Sequence, residues 1–322
     1  MTSDYQLISD GKFLIKNYGQ KKPFSNFLPG IAGLYGTPMW VFYVNRGQAV
    51  ASFGTRNKDN AILEFFPANK AYQMVTNQGF RTFLKTKPAG ASAERYEFHE
   101  PFRDGAEISP SIHRSMEISS HELTIQERDH SSGLETLVTY FTIPGEPIAA
   151  LARIVTLNNH SSQALDVEML DGLPQVNPYG MNEFFIKHMS RTIEAWMVVE
   201  NLEKKAPFLK LKVDATDRPE VTMIEGGNFY AAFVQGSSRT EALEVWTDPA
   251  VLFGSALDFS VPRHFFKKAD FKAPFKPLNE SKTPCTFGGA HFKLSPGRSK
   301  TICSLVGHAR SVESLNRVLS RA

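Results

Sequence analysis

The sequence predicts a large antiparallel β-sandwich carrying one internal helix and one C-terminal helix. Three observations predict it. Aromatic residues are plentiful, with 25 Phe, 9 Tyr and 3 Trp, and such side chains suit a pleated, half-buried surface. Gly and Pro number 22 and 19 and break the chain at short intervals, as in a protein of many short strands. Apolar residues alternate along most segments, and helical spacing replaces alternation in only two places.

In chain order, YQLISDGKFLIKN sets Asp10-Gly11 between two apolar runs, a hairpin signal because both central turn positions need φ > 0. PFSNFLPGIAGLYGTP reads as a loop with aromatic anchors, since its prolines and glycines forbid a helix. VFYVNRGQAVASFGTRNKDNAILEFF, residues 41–66, reads as a three-strand meander with two polar knots. Further strands fit residues 79–85, 94–99, 114–127 (with a polar break) and 134–143. IVTL and LDVEML flank NNHSSQ and read as a long hairpin. Residues 181–197 place Phe184, Phe185, His188, Met189, Thr192, Ile193, Trp196 and Met197 in pairs four apart. That stripe predicts a helix of three to four turns, with WMVVEN taking over as a strand. FLKLKVDA, VTMIEG, FYAAFVQG and EALEVW are further strand candidates. Residues 261–289 are an irregular stretch rich in Phe, Lys and Pro. AHFKLSPGRSKTICSLVGHA reads as a hairpin around Ser295-Pro296-Gly297. SVESLNRVLSRA ends the chain with Ser311 as N-cap and Val312, Leu315, Val318 and Leu319 as one stripe. Such a stripe needs a surface, either the sheets or a following element.

The bulk numbers exclude several classes. The chain has 322 residues, 36 basic against 33 acidic, for a net charge of +3, so no global field draws it to nucleic acid or to an anionic membrane. No apolar run approaches the roughly 20 residues that span a bilayer. The first residues, MTSDYQLISDGKF, lack a basic start followed by an apolar stretch, so no secretory signal is expected and a cytoplasmic location is. Cys285 and Cys303 are too few for a disulfide scaffold and lack metal-ligand spacing, so two thiols in a reducing compartment and no metal are expected.

Recognisable catalytic motifs are absent: no Walker loop, no G-x-G-x-x-G, no G-x-S-x-G and no H-E-x-x-H. His121 and His130 flank a strand with Glu122, Glu127 and Asp129, a set able to hold a metal or sugar hydroxyls but more often a solvated strand edge. His99 and Glu100, in FHEPF, allow a mutarotase-like site, against the ordinary reading of a loop histidine. In LDGLPQVNPYG, Asp171, Gln175 and Tyr179 sit on a proline-braced loop. They suit a sugar or interface contact, or Asp171 forms a local Asx turn with Leu173. HFFKKADFKAPFKP mixes Phe with Lys as a single-strand nucleic-acid surface would, but near-neutral charge and two prolines favour a loop pinned by its Phe residues. The two knots bear Asn45, Arg46 and Gln48, then Arg56, Asn57, Lys58 and Asp59. Planar amides and guanidinium suit sugar hydroxyls and phosphate, while turn chemistry alone already calls for Asn, Asp and Gly.

FSNFLPGIAG, FYVNRGQAVASFGTRNKDNAILEFFPANKAYQ, VTLNNHSSQALDVEMLDGLPQVNPYG and FKLSPGRSKTICSLVG together make the chain resemble the N-terminal region of the β-glucan phosphorylases of glycoside hydrolase family 94. The resemblance is to the branch acting on short β-1,2-linked glucans and to cellobiose phosphorylase-like proteins, and it runs along nearly the whole sequence. It implies a β-supersandwich of galactose-mutarotase-like topology over residues 1–310, and the start of a linker helix at 311–322, with the catalytic (α/α)6 barrel absent. It implies a carbohydrate-binding and assembly domain that is not catalytic alone. The complete enzyme is then an inverting glycosyltransferase that uses inorganic phosphate as co-substrate and no cofactor. The implied partners are a β-glucan oligosaccharide and either a second copy, as a homodimer, or a separate barrel. The knots at 45–48 and 56–59 would reach the neighbouring pocket. No catalytic residue is carried over. The rivals are a stand-alone mutarotase- or epimerase-like sugar enzyme and a carbohydrate-binding module.

Overall fold

Alternating residues send their side chains to opposite faces of a strand, and the chain uses this to bury both faces of its smaller sheets. In the computed structural model, residues 4–8, 11–104, 108–216, 218–235 and 240–321 are described. They form three antiparallel sheets of eleven, five and four strands. The largest runs from strands Tyr5–Leu7 and Phe13–Lys16 through Ile112–Ile118, Glu122–Asp129, Leu134–Thr142 and Ala149–Asn159. It continues with Ser299–Ala309, Gly227–Gln235, Phe208–Leu211 and Met197–Glu200, and Thr240–Ala242 pairs with Gly227–Gln235 off this path as the eleventh strand. The five-stranded sheet orders Glu244–Trp246, Thr286–Leu294, Leu165–Leu173, Arg81–Pro88 and Glu97–His99. The four-stranded sheet orders Ser25–Leu28, Met39–Val44, Val50–Thr55 and Ala61–Leu63.

The main core lies between the large sheet and the two smaller ones. Val138, Tyr140 and Leu151 meet Leu84 and Met169 of one small sheet and Val41 and Phe53 of the other. Neighbouring residues on the same strands turn outwards into separate clusters. Phe83 and Leu170, next in sequence to Leu84 and Met169, pack beneath the Phe-rich strap of residues 254–285. Two buried cations hold that strap. Arg81 donates to the carbonyl oxygens of Phe259 and Ser260, and Lys85 donates to Ala269 at 2.6 Å while pairing with Glu168 at 2.5 Å. The Phe and Lys residues of HFFKKADFKAPFKP therefore serve as a lid on a sheet, with Phe265 buried.

The predicted meander at 41–66 is present, as are the strands around 81–88, 112–129 and 134–142. Strands Tyr5–Leu7 and Phe13–Lys16 pair as the first hairpin requires, although Asp10 lies outside the described residues. Two predicted hairpins are inter-sheet corners instead. Ala149–Asn159 belongs to the large sheet and Leu165–Leu173 to the five-stranded one, so NNHSSQ carries the chain between layers. Ser295-Pro296-Gly297 does the same between Thr286–Leu294 and Ser299–Ala309. A polar turn between two one-sided apolar strands reads the same whether they pair edge to edge or face to face. VTMIEG contributes only an isolated bridge, Val213 with Met223.

Helix α1, Ala68–Gln78, was not expected. It covers the outer face of the four-stranded sheet with Ala71 and Val75, four residues apart. The stripe at 181–197 is helical but irregular: a π turn at Phe185–Met189, then a 3-10 stretch at Ser190–Trp196. It buries Phe185 and Ile193, not Phe184. Helix α2, Pro249–Phe253, is a single short turn under the strap. Helix α3, Val312–Leu319, starts as predicted, with Ser311 Oγ accepting from the Ser314 amide at 3.2 Å. Its stripe lies on the large sheet: Leu315 and Val318 pack with Phe208, Phe229 and Ala231. No helix of the described residues is long and apolar enough to cross a membrane.

Candidate functional site

The two polar knots have opposite fates. The first is turned inwards. Asn45 is fully buried, its Nδ2 donating to the Tyr18 carbonyl at 2.9 Å and its Oδ1 accepting from the Phe24 amide at 2.9 Å. Arg46 donates to the carbonyl oxygens of Asn45 and Lys21 at 2.7 and 3.0 Å, so its fork secures backbone. Gln48 enters the core, where its Oε1 accepts from Arg153 Nη2 at 2.5 Å.

That guanidinium also settles Asp171. Arg153 Nε and Nη2 donate to the two Asp171 oxygens at 2.9 and 2.7 Å, and neither side chain reaches solvent. Burial opposes the charge on Arg153; the Asp171 carboxylate beside it outweighs burial and holds the guanidinium more firmly protonated than a free arginine. Asp171 is thus neither a sugar contact nor an Asx turn. It is one end of a buried ion pair joining the five-stranded sheet to the large one. The interior placement of Asn45, Gln48 and Asp171 corrects their expected role at a ligand surface.

The second knot is exposed. Asn57 Oδ1 accepts from the Asp59 amide at 3.1 Å, Lys58 pairs with Glu183, and Asp59 accepts from the Glu183 amide at 3.2 Å. Hydrogen bonds from Lys187 and then Lys58 draw the Glu183 carboxyl down to about 2. Asn57, Lys58 and Asp59 therefore brace the knot against the helical segment. Arg56 is left over. It has a left-handed backbone with φ of 55°, a conformation that strains any residue with a Cβ.

Arg56 faces a cleft of about 350 Å3 that also holds Tyr179, His308, Arg310 and Glu225. Strand Ser299–Ala309 ends there, and the loop of Tyr179 is tied to strand Phe208–Leu211 by Tyr179 N to Leu209 O at 2.9 Å. The Tyr179 and His308 rings lie 4.3 Å apart. Gly226 makes room for them, since a Cβ there would stand 3.0 Å from the Tyr179 ring and 3.1 Å from that of His308. Burial, then the Arg56 charge, lowers the His308 pKa to about 4, so the ring is neutral at pH 7. Its Nδ1 is buried without a hydrogen-bond partner among the described residues. Neither Arg56 nor Arg310 has an ion-pair partner among the described residues. The lining thus carries two guanidinium groups against one carboxylate, Glu225, a net positive charge. Gln175 is half-buried on the Tyr179 loop, outside this lining.

Sequence reasoning found Arg56 and Tyr179 but missed His308, Arg310 and Glu225. The signal for His308 was its parity. It follows Ile302, Ser304 and Val306 at alternate positions, all three turned inwards, so a histidine stood on the core face at a strand end. His121, His130 and His188 do not come together. His121 lies in the turn before strand Glu122–Asp129 and His130 just after that strand, so they stand at opposite ends of it. His130 instead contacts His113 at 3.1 Å. His188 packs on the exposed Phe184 ring. Among the described residues, no group of three or more His, Cys, Asp or Glu could hold a metal. Cys285 and Cys303 are free thiols.

No family model matches the sequence, and no curated protein matches it. Among solved structures the chain is similar to a polysaccharide lyase, with a TM-score of 0.46 and 8% identity, over 88% of this chain and 34% of that one. It is also similar to a human-microbiome protein provisionally assigned as a kojibiose phosphorylase, with a TM-score of 0.37 and 8% identity, over 100% of this chain and 35% of that one. The chain spans about a third of the length of each. By name, both neighbours act on carbohydrates.

Proposed function

We propose that this chain is a carbohydrate-binding and assembly domain of a β-glucan phosphorylase of the 1,2-β-oligoglucan or cellobiose type, not catalytic alone. Its working surface is the Arg56 cleft. The observation that carries this reading is the pair of unpaired guanidinium groups, Arg56 and Arg310, beside the Tyr179–His308 ring pair. Guanidinium groups bind phosphate oxygens, and the faces and edges of aromatic rings suit the apolar side of a sugar. A sugar phosphate combines both demands. In the complete enzyme, inorganic phosphate is the co-substrate, the catalytic acid comes from a barrel, and a second copy or that barrel closes over the cleft. Residues 1–310 form the binding domain and 311–322 begin the linker.

The test is titration of the chain with α-glucose 1-phosphate. Binding is expected, weakened by Arg56→Ala and by Arg310→Ala. Glucan and phosphate together should give no phosphorolysis. Turnover by the purified chain, or sugar-phosphate binding indifferent to both arginines, overturns the reading.

A further inference from the structure

A second concavity follows the outer edge of the five-stranded sheet. Two adjoining cavities, of about 220 and 370 Å3, share His99, Ser132 and Leu134 and so form one groove. Edge strand Glu97–His99 makes one wall. The corner after strand Glu122–Asp129 makes the other, and the inter-sheet corner of residues 161–163 closes one lobe. The two lobes together fall within the roughly 300–1,000 Å3 of ordinary ligand sites.

The chemistry of this groove differs from that of the Arg56 cleft. Its acidic floor is already neutralised: Glu127 accepts from Arg114 Nε at 2.6 Å and from the Phe102 amide at 2.7 Å, and Glu100 accepts from Arg81 at 2.6 Å. Lys87 is tied to the Ala91 carbonyl at 2.7 Å. His99 Nε2 lies 3.0 Å from Thr86 Oγ1, and burial lowers its pKa, so a neutral ring with one committed nitrogen faces the groove. Burial opposes the charge on Asp129, and hydrogen bonds from Ser131, Ser132 and Ser111 outweigh it, bringing its pKa down to about 2. At the rim, Arg95 and Glu97 offset each other in charge. What remains is the hydroxyls of Thr136 and Ser162, the Gln163 amide, one imidazole and the carboxylates of Asp129 and Glu97. Such groups donate and accept in turn, as recognition of vicinal hydroxyls requires.

We infer that this groove is a second ligand site, taking an uncharged, hydroxyl-rich chain, an oligosaccharide, across its two lobes. It is independent of the cleft, since a neutral sugar needs neither Arg56 nor Arg310. Leu84 and Leu134 supply apolar floor for the sugar rings, and Glu97, Gln163 and His99 read their hydroxyls.

Isothermal titration of the whole chain with β-1,2-linked glucotetraose and with cellotetraose tests the inference. Glu97→Ala and Gln163→Ala remove side chains that hold no structural bond among the described residues, so the melting temperature should not move. Each should weaken the tetrasaccharide that binds about tenfold, the scale of one well-placed hydrogen bond to a ligand. The double variant Arg56→Ala/Arg310→Ala should bind it as the parent does. Absence of binding by both tetrasaccharides overturns the inference, and so does binding that survives the groove variants or falls with the arginine pair. The sugar-phosphate titration reports on the cleft separately, so the two readings fail independently.

Discussion

Replacing Asp171 with Ala separates a structural role from a ligand-binding one. In the parent, two charge-assisted bonds of 2.9 and 2.7 Å hold Arg153, and Asp171 Oδ1 also accepts the Thr82 hydroxyl at 2.7 Å. The guanidinium lies 4.9 Å from the Phe80 ring centre and 5.2 Å from that of Tyr140, with no exposure to solvent. Removing one partner of a buried pair costs about 3–5 kcal/mol, because the remaining charge stays desolvated. Thr82 also loses its shorter acceptor, with Gln48 Oε1 at 3.3 Å left to take the hydroxyl, which keeps Asp171→Ala within about 3–5 kcal/mol. Gln48 and Tyr140 remain as Arg153 neighbours, but they are neutral and cannot replace the carboxylate. The double change Arg153→Met/Asp171→Leu should cost less than Asp171→Ala alone, since apolar isosteres remove the stranded charge. Urea unfolding followed by tryptophan fluorescence measures both. A variant that keeps its midpoint within about 1 kcal/mol of the parent while losing sugar binding would refute the structural assignment.

The other predictions follow from the cleft and the C-terminal helix. Arg56→Gly should stabilise the fold by about 1 kcal/mol by relieving the left-handed backbone, while weakening glucose 1-phosphate as Arg56→Ala does; denaturant midpoints and titration check both. His308 has a folded pKa near 4, below its ordinary 6.5. The unfolded chain therefore binds the extra proton first, and stability is lost as pH falls from 6.5 towards 4, by at most roughly 3 kcal/mol. His308→Gln should flatten the unfolding profile across that window. Leu315→Ala should cost about 2–4 kcal/mol and Ser311→Ala about 1 kcal/mol, read from denaturant midpoints. Weakening of sugar-phosphate binding by salt should be steeper for the parent than for Arg310→Ala.

Much of the architecture was legible because alternation is local: Met116 and Ile125 announce their faces within their own strands. Which strands pair is not local. The corners at 160–164 and 295–298 carry ordinary turn residues, and only the rest of the chain decides that their strands face each other across the core. Helix α1 escaped notice because its buried residues are few and small. The knots at 45–48 and 56–59 look alike as polar clusters, yet one is consumed by backbone carbonyls and a buried arginine. The difference lies in partners such as Tyr18 and Arg153, distant in sequence. Arg310 stood at the junction of the last strand with the Ser311 cap, and nothing nearby in the chain linked it to Arg56.

The layout of the large sheet has a consequence during synthesis. Strand Ala149–Asn159 has Leu134–Thr142 on one side and Ser299–Ala309 on the other. The second neighbour begins about 140 residues later in the chain. At about 5–20 residues per second, a ribosome takes roughly 7–28 s to deliver it. For that interval an eleven-residue strand with Leu151, Val155 and Leu157 on one face offers an open edge. That is the geometry that invites pairing between nascent copies. Chaperone cover, or slow release of this chain from crowded polysomes, should matter more for its yield than the stability of the finished fold.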